Sequence, residues 1–372
     1  MKIWIVSRGC PSEQNPQYGI FEFDQARALK TAGFEVIFLA LDLRSIRRWR
    51  KWGIHTFVKE GISVVEINVP YGPIPYKLYD MVGRKAFKRL FYKAVKLYGK
   101  PDIVHAHFGN VASLCADCVT AEKIKFIVTE HHCKIMEEPM VPKVYRAASC
   151  AYSKADKVIA VSGALAKRIY EKFGVKAEVV ANIIDENNFS LEKVPHKDAS
   201  QDFLFCTCGN LIHRKGFDII LKAFSVMKNQ SSKLIIIGDG PCRHKLEELV
   251  NDLSIIQRVE FKGRCTRDVI RDIYRNCDCF VLSSRSETFG VVYIEALASG
   301  LPIIATRCGG PEDIVTDEIG VLIDVDDVEG LAETMDDMIQ NYQKYDKDYC
   351  VEYVKKRFSG EEICTRLEEI YK

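Results

Sequence analysis

The chain has 372 residues, 47% hydrophobic and 28% charged, a composition that excludes disordered, collagen-like and coiled-coil classes. At roughly 100 to 200 residues per domain, that length predicts two domains with separate cores. Basic and acidic residues nearly balance at 53 against 51, yet residues 1–195 hold 30 basic and 20 acidic ones while 196–372 hold 23 and 31, so the first half suits an anionic partner.

The N-terminus enters an apolar stretch, Ile3 to Val6, too short for a signal peptide, and no run of 18 apolar residues follows. A cytoplasmic chain with its fourteen cysteines reduced is expected. The short spacings Cys115/Cys118, Cys206/Cys208 and Cys277/Cys279 lack a second CxxC at zinc-ribbon distance, and they read as small buried residues.

In chain order, Lys2 to Ser7 reads as a strand, Phe21 to Ala32 as a helix stopped by Gly33, and Phe34 to Leu41 as a second strand. Arg44, Arg47, Arg48, Arg50 and Lys51 then cluster around Trp49 and Trp52. A strand is expected at Ile62 to Val69. From Arg84 to Lys100, Arg84, Lys85, Lys88, Arg89, Lys93, Lys96 and Lys100 occur without an acid, while Phe87, Leu90, Phe91, Ala94 and Tyr98 recur at helical spacing. Such a basic amphipathic helix lies on an anionic membrane, its apolar face buried and its cations on headgroups; alternatively its stripe packs on the domain core. No nucleic-acid motif accompanies the charge, so no nucleic-acid partner is expected.

Further strands are expected at Asp102 to Ala106, Lys125 to Thr129, Lys157 to Val161 and Glu178 to Val180, with Ser162 capping the helix that follows. His105 and His107 share one strand face, and Glu130, His131 and His132 end the next strand, so a metal site or an imidazole presented to a ligand are both open readings. The polar, aperiodic stretch 186–202 marks the domain boundary.

The alternation then restarts. Strands are expected at Phe203 to Cys208, Lys233 to Ile237, Val259 to Lys262, Cys279 to Ser283 and Pro302 to Thr306. Helices fall near Gly216 to Lys228, Pro241 to Leu253, Thr266 to Asn276 and Phe289 to Ser299. Ser359 with Glu362 forms a capping box opening a last helix to Lys372. The fold class is α/β: two Rossmann-like doubly wound domains, 1–190 and 200–350, facing a central cleft, with helix 359–372 packing back on the first.

The sharpest constellation is Ser283 to Glu295, SSRSETFGVVYIE, which follows an apolar strand and opens a helix. N–H groups at that helix start, near Phe289, Gly290 and Val291, suit a diphosphate, and Gly290 permits close backbone approach. If the segment were fully helical, Glu287 and Glu295 would stand about 12 Å apart, comparable with the two sugar rings of a nucleotide sugar. Carboxylates accept from sugar hydroxyls.

In this register Glu287 and Glu295 form an E-x7-E motif, and the chain resembles retaining glycosyltransferases of the GT-B fold, glycosyltransferase family 4, nearly end to end. Supporting matches are Gly19-Ile20-Phe21, Asp102 to Phe108, Ser153 to Ser162, Lys215 to Asp218 and Gly238-Asp239-Gly240-Pro241. The resemblance implies that Glu287 holds the donor sugar, Glu295 the nucleotide ribose, and Lys215 the diphosphate. It also implies that His107 orients a hydroxyl of the transferring sugar. Asn210 stands where the family commonly has arginine. Arg214 is then either a second cation or a solvent-facing neighbour of Lys215. Gly19 either brings an N–H to the donor phosphate or only starts the first helix, and Arg264 is carried over as a residue bordering the base. Gly309 to Glu312 reads as a turn at the cleft edge, with a direct ligand role as the alternative. Asn182-Ile183-Ile184-Asp185 has Ile183 for the family's glycine, which predicts ordinary backbone angles there. Asp324-Val325-Asp326 has metal-binding DxD spacing, but its position before a helix favours a structural reading.

The implied function is metal-independent retaining transfer of a hexosyl group from a nucleoside diphosphate sugar, with UDP expected by family frequency, to a glycan or lipid-linked acceptor in cell-surface polysaccharide synthesis. No cofactor is implied. A monomer is expected, in peripheral contact with anionic membrane on the cytoplasmic face through Arg84, Lys85, Lys88, Arg89 and Lys93. The competing readings are a nucleotide-sugar epimerase of the same fold, a zinc-dependent hydrolase using His105, His107 and His131 or His132, and a non-catalytic nucleotide-sugar sensor with an inherited site.

Overall fold

The computed structural model describes residues 1–72, 75–189 and 202–372, so most of the polar stretch 186–202 lies outside the described residues. The chain divides into two units, 1–183 with 360–372, and 184–359.

In the first unit eight strands form one sheet: β1 (Lys2–Ser7), β2 (Glu35–Asp42), β3 (Gly53–Lys59), β4 (Ile62–Asn68), β5 (Ile103–His107), β6 (Lys125–Glu130), β7 (Lys157–Ala160) and β8 (Glu178–Val179). Their order is β3-β4-β2-β1-β5-β6-β7-β8, and every pairing is parallel except the edge hairpin β3/β4. The inner strands are continuous apolar runs because helices cover both faces of a parallel sheet. Those helices are α1 (Ile20–Thr31), α2 (Tyr76–Tyr98), α3 (Gly109–Ala121), α4 (Pro142–Tyr152) and α5 (Gly163–Phe173). Ser162 caps α5 by accepting from the Leu165 N–H at 3.2 Å.

The basic helix forms as the periodicity predicts, but its apolar stripe is not available to a membrane. Phe87, Leu90, Phe91 and Ala94 are all buried, with α2 packed on β2, β4 and α3 and the Phe91 ring edge-on to Trp4 at 5.3 Å. Burying these side chains in the core already satisfies the hydrophobic drive that membrane insertion would use. Arg84 also leaves the basic surface, since Asp80 and Asp117 both pair with it. Lys85, Lys88, Arg89 and Lys93 remain exposed.

The second unit holds six parallel strands, β9 (Leu204–Cys208), β10 (Lys233–Ile237), β11 (Val259–Gly263), β12 (Cys279–Leu282), β13 (Ile303–Thr306) and β14 (Gly320–Ile323), in the order β11-β10-β9-β12-β13-β14. The order reverses at β9/β12, the switch point beside which open α/β sheets bind ligands. Helices α6 (Phe217–Val226), α7 (Arg243–Asp252), α8 (Arg267–Arg275), α9 (Val291–Ala298), α10 (Val328–Gln340) and α11 (Lys347–Phe358) belong to this unit.

The last helix, α12 (Gly360–Tyr371), returns to the first unit. Ile363, Leu367 and Ile370 join the cluster built on Phe23, Phe38 and Ile127, and the Tyr371 hydroxyl meets His105 Nδ1 at 2.7 Å. No described helix is long and apolar enough to cross a membrane. All fourteen cysteines are free, with Cys206, Cys277 and Cys279 buried.

Candidate active site

The site in the second unit is assembled from three loops at the C-terminal ends of its strands. The loop after β9 makes a 3-10 turn, His213–Lys215, that ends at Gly216 with φ 68°. A Cβ on Gly216 would lie 1.9 Å from the Ser283 carbonyl oxygen, and Ser283 Oγ donates to the Gly216 carbonyl at 2.7 Å. Only glycine fits that crossing. It clamps the loop carrying Arg214 and Lys215 against the segment carrying Glu287.

Glu287 is 5% exposed. One of its oxygens accepts from the Lys215 ammonium and from Ser284 Oγ at 2.8 Å, while the other lies 3.4 Å from Arg214 Nη1. Burial by itself would raise this carboxyl, but the charges of Lys215 and Arg214 and the hydrogen bonds outweigh it and hold the pKa below the usual range. Glu287 is therefore an ionised acceptor at neutral pH. Arg214, with a 28% exposed side chain, is drawn to Glu287 rather than lying free in solvent beside Lys215.

The backbone of Glu287 is fixed by the third loop. Its N–H donates to the Cys308 carbonyl at 3.2 Å, and its carbonyl accepts from Gly310 N–H at 2.9 Å. Glu312 caps the turn by accepting from Gly309 N–H at 2.9 Å. The turn Gly309 to Glu312 thus braces Glu287.

Helix α9 begins at Val291, with Gly290 as its N-cap at φ 95°. Residues 287–290 are not helical, so the 12 Å rise computed for a continuous helix does not apply across them. Phe289 turns its buried ring to Phe358 at 5.7 Å. The Tyr293 N–H donates to the Gly290 carbonyl at 3.0 Å, and the N–H groups before it stand at the positive end of the helix dipole. Glu295, inside α9 and 6% exposed, lies 3.7 Å from Arg267 Nε, and Arg267 Nη1 lies 2.7 Å from buried Asp185.

Arg267 and Ser284 were not singled out from sequence. Arg264, the arginine chosen at this end of β11, has an 80% exposed side chain 3.8 Å from Asp239. The N-cap position of Thr266 before α8 could have marked Arg267 as the arginine on a rigid element. Asn210 is exposed. Asp324 pairs with Arg307, and Asp326 with Arg285, as a structural reading of the DxD spacing requires.

Gly19 and His107 belong to the first unit. Gly19 is the N-cap of α1 at φ 81°, and a Cβ there would stand 2.1 Å from the Gly9 carbonyl oxygen. That packing alone accounts for a glycine. His105 and His107 stack at 4.7 Å between ring centroids, on one face of β5 as the strand periodicity predicts. His107 Nδ1 lies 2.9 Å from His131 Nε2, and its buried Nε2 has no partner. Burial lowers its pKa to about 3, so the ring is neutral.

Glu130 is used up structurally. It accepts from the Tyr152 hydroxyl and from the N–H groups of Gly109, His131 and His132. Among the described residues no group of three or more His, Cys, Asp or Glu side chains is arranged to hold a metal. Ile183 is absent from the described residues with positive φ, as its β-branched side chain predicts.

Two family models match the chain, Glycosyltransferase Family 4 over residues 23–188 and Glycosyl transferases group 1 over 189–357. Among curated proteins, it is 28% identical to the N-acetyl-alpha-D-glucosaminyl L-malate synthase of Bacillus anthracis, over 73% of this chain and 74% of that one. It is 25% identical to the putative teichuronic acid biosynthesis glycosyltransferase TuaC of Bacillus subtilis, over 90% and 88%. Among solved structures, sucrose-phosphate synthase from Thermosynechococcus elongatus superposes with TM-score 0.80 at 19% identity, covering 100% of this chain and 98% of that one. Anabaena HepE in complex with UDP and glucose superposes with TM-score 0.75 at 20% identity, covering 100% and 99%. The two models meet within a few residues of the boundary between the structural units and together run over most of the chain, which is a glycosyltransferase of the GT-B fold and the family 4 type.

Proposed function

We propose that the enzyme transfers a hexosyl group, with retention of anomeric configuration and without a metal, from a UDP-sugar to a glycan or lipid-linked acceptor in cell-surface polysaccharide synthesis. The observation that carries this reading is the buried Glu287 held between Lys215 and Arg214 beside the N-terminus of α9. When a donor enters, Lys215 and the α9 N–H groups face the diphosphate and stabilise the charge that grows on it as the bond to the sugar breaks. Glu287 accepts from hydroxyls of the sugar, and Glu295 from the ribose.

The anomeric carbon loses its bond to the diphosphate oxygen and gains one to the acceptor oxygen on the same face. The acceptor proton passes to the departing phosphate, so no protein nucleophile is required. UDP as leaving group is supported by the neighbour solved with UDP and glucose, and the pathway by the relative named for teichuronic acid biosynthesis. The exposed cations Lys85, Lys88, Arg89 and Lys93 would hold the protein, as a monomer, against an anionic cytoplasmic membrane face by charge alone.

The test is incubation with UDP-hexoses and an acceptor panel, following UDP release and the anomeric proton coupling of the product by NMR. An axial donor giving an axial glycoside is expected. An equatorial product would overturn retention. Conversion of the donor sugar to its epimer without any acceptor would replace transfer by epimerisation.

A further inference from the structure

A cavity of about 540 Å³ opens in the first unit between the loop after β1 and the segment that joins β2 to β3. Neither the proposed donor chemistry nor the helical basic surface uses it. Its size suits a sugar-sized ligand. Five cations line it, Arg44, Arg48, Arg50, Lys51 and Lys59, against the carboxylates Glu13 and Glu66.

Two of the guanidinium groups are fixed in place. Buried Asp42 lies 2.6 Å from Arg44 Nη2 and 2.9 Å from Arg50 Nε. Arg44 also stacks on Tyr18 at 4.2 Å and Arg50 on Trp52 at 4.6 Å. Arg44 Nη1 is buried and has no partner, a donor awaiting an acceptor. Lys59 is tethered to the Pro11 carbonyl at 2.7 Å. Even with Asp42 counted behind the wall, positive charge exceeds negative by two, and burial pushes the Glu66 carboxyl upward, which weakens one of the opposing charges. Trp49, 77% exposed, adds an aromatic face at the rim on which a sugar ring can stack.

We propose that this cavity binds a phosphate ester on a sugar-sized molecule, and that the ester is the anionic end of the acceptor. The excess of two charges matches a phosphate monoester, which carries about −1.5 to −2 at neutral pH. Arg44 Nη1 and the exposed Arg48 and Lys51 supply the donors to its oxygens, while Arg50 is held in the wall by the carbonyls of Arg48, Asp42, Arg44 and Val69. The assignment to the acceptor rests on the glycosyltransferase reading; the binding itself does not.

The experiment is calorimetric titration of the full chain with glucose 6-phosphate, beside co-sedimentation with vesicles of phosphatidylcholine with and without phosphatidic acid. Wild type is compared with R48E/K51E, whose two side chains are exposed and outside the core, and with Arg44→Gln. Glucose 6-phosphate affinity falling tenfold or more in both variants supports the site with a soluble ester. Absent glucose 6-phosphate binding, with phosphatidic acid co-sedimentation lost in both variants, supports it with a lipid ester. No binding in either arm, or binding that both variants retain, overturns it. UDP affinity, measured on the same samples, should be unchanged; its absence in wild type would count against the donor site and leave the phosphate result standing.

Discussion

The pairing of Lys215 with Glu287 should be energetically coupled, and a double-mutant cycle measures that coupling. Replacing Lys215 by Met leaves a carboxylate whose side chain is 7% exposed with only Arg214, at 3.4 Å, as countercharge. Removing one partner of a fully buried pair costs about 3 to 5 kcal/mol. Ser284 and Arg214 remain, and the Lys215 side chain keeps 12% exposure, so we expect about 1 to 3 kcal/mol for Lys215→Met. In Glu287→Gln the amide retains the Ser284 contact but strands the ammonium. The double variant should lose less than the sum of the singles by about 1 to 2 kcal/mol, since neither then leaves an unpaired charge. Urea unfolding at pH 7.5 reads the cycle.

The pH dependence has a definite sign. Because the folded pKa of Glu287 is depressed, its contribution is full above the unfolded value of about 4.5 and is lost as pH falls through the folded pKa. The coupling should therefore persist at pH 6. Strict additivity of the two single variants at pH 7.5 would refute the geometry. The same Lys215→Met substitution should lower kcat by about 10²-fold or more, as expected when one preorganised charge is removed from a developing anion.

Gly216→Ala should destabilise the protein by about 1 to 3 kcal/mol and abolish nucleotide binding, because its Cβ would stand 1.9 Å from the Ser283 oxygen at φ 68°; wild-type affinity in that variant would show that the loop crossing does not position Lys215. The triple variant K88E/R89E/K93E should lose co-sedimentation with phosphatidylglycerol vesicles at low salt while retaining its melting temperature, and unchanged co-sedimentation would remove α2 from membrane contact. His107 should show the NMR shifts of a neutral imidazole down to pH 5. Its pKa is lowered to about 3, so its contribution to stability is full above about pH 6.5 and is lost as pH falls toward the folded value, where the unfolded chain takes the proton first. Protonation near pH 6.5 would contradict its burial.

Buried parallel strands announce themselves as β-branched runs, and β1, β2, β9, β10 and β12 fall within a residue or two of where those runs lie. The edge strand β3 does not, because its pattern is mostly exposed and among the described strands it pairs with β4 alone. Likewise β14 is a four-residue run that reads as the approach to Asp324. The acidic pair Glu287 and Glu295 was legible from spacing and resemblance, whereas the bracing of Glu287 by Gly309 to Glu312 depends on a long-range bridge. Arg264 and Arg267 differ in a way their spacing does not show: the first side chain is exposed, and the second, three residues on, pairs with both Asp185 and Glu295. Helical spacing identified the apolar face of α2 but not its cover, since a stripe that packs on a sheet and one that enters a bilayer have the same period.

Nucleotide recognition by the second unit can be measured as thermal and chemical stabilisation by UDP, GDP, ADP and their hexose conjugates, each with and without EDTA, in wild type and Glu295→Ala. Ligand at 100 times its dissociation constant should stabilise by about 2.7 kcal/mol. We predict a shift with the UDP series that EDTA does not alter and that Glu295→Ala removes. Stabilisation by no nucleotide, or a shift that survives in Glu295→Ala, would contradict the site built on Lys215, Glu287 and Glu295.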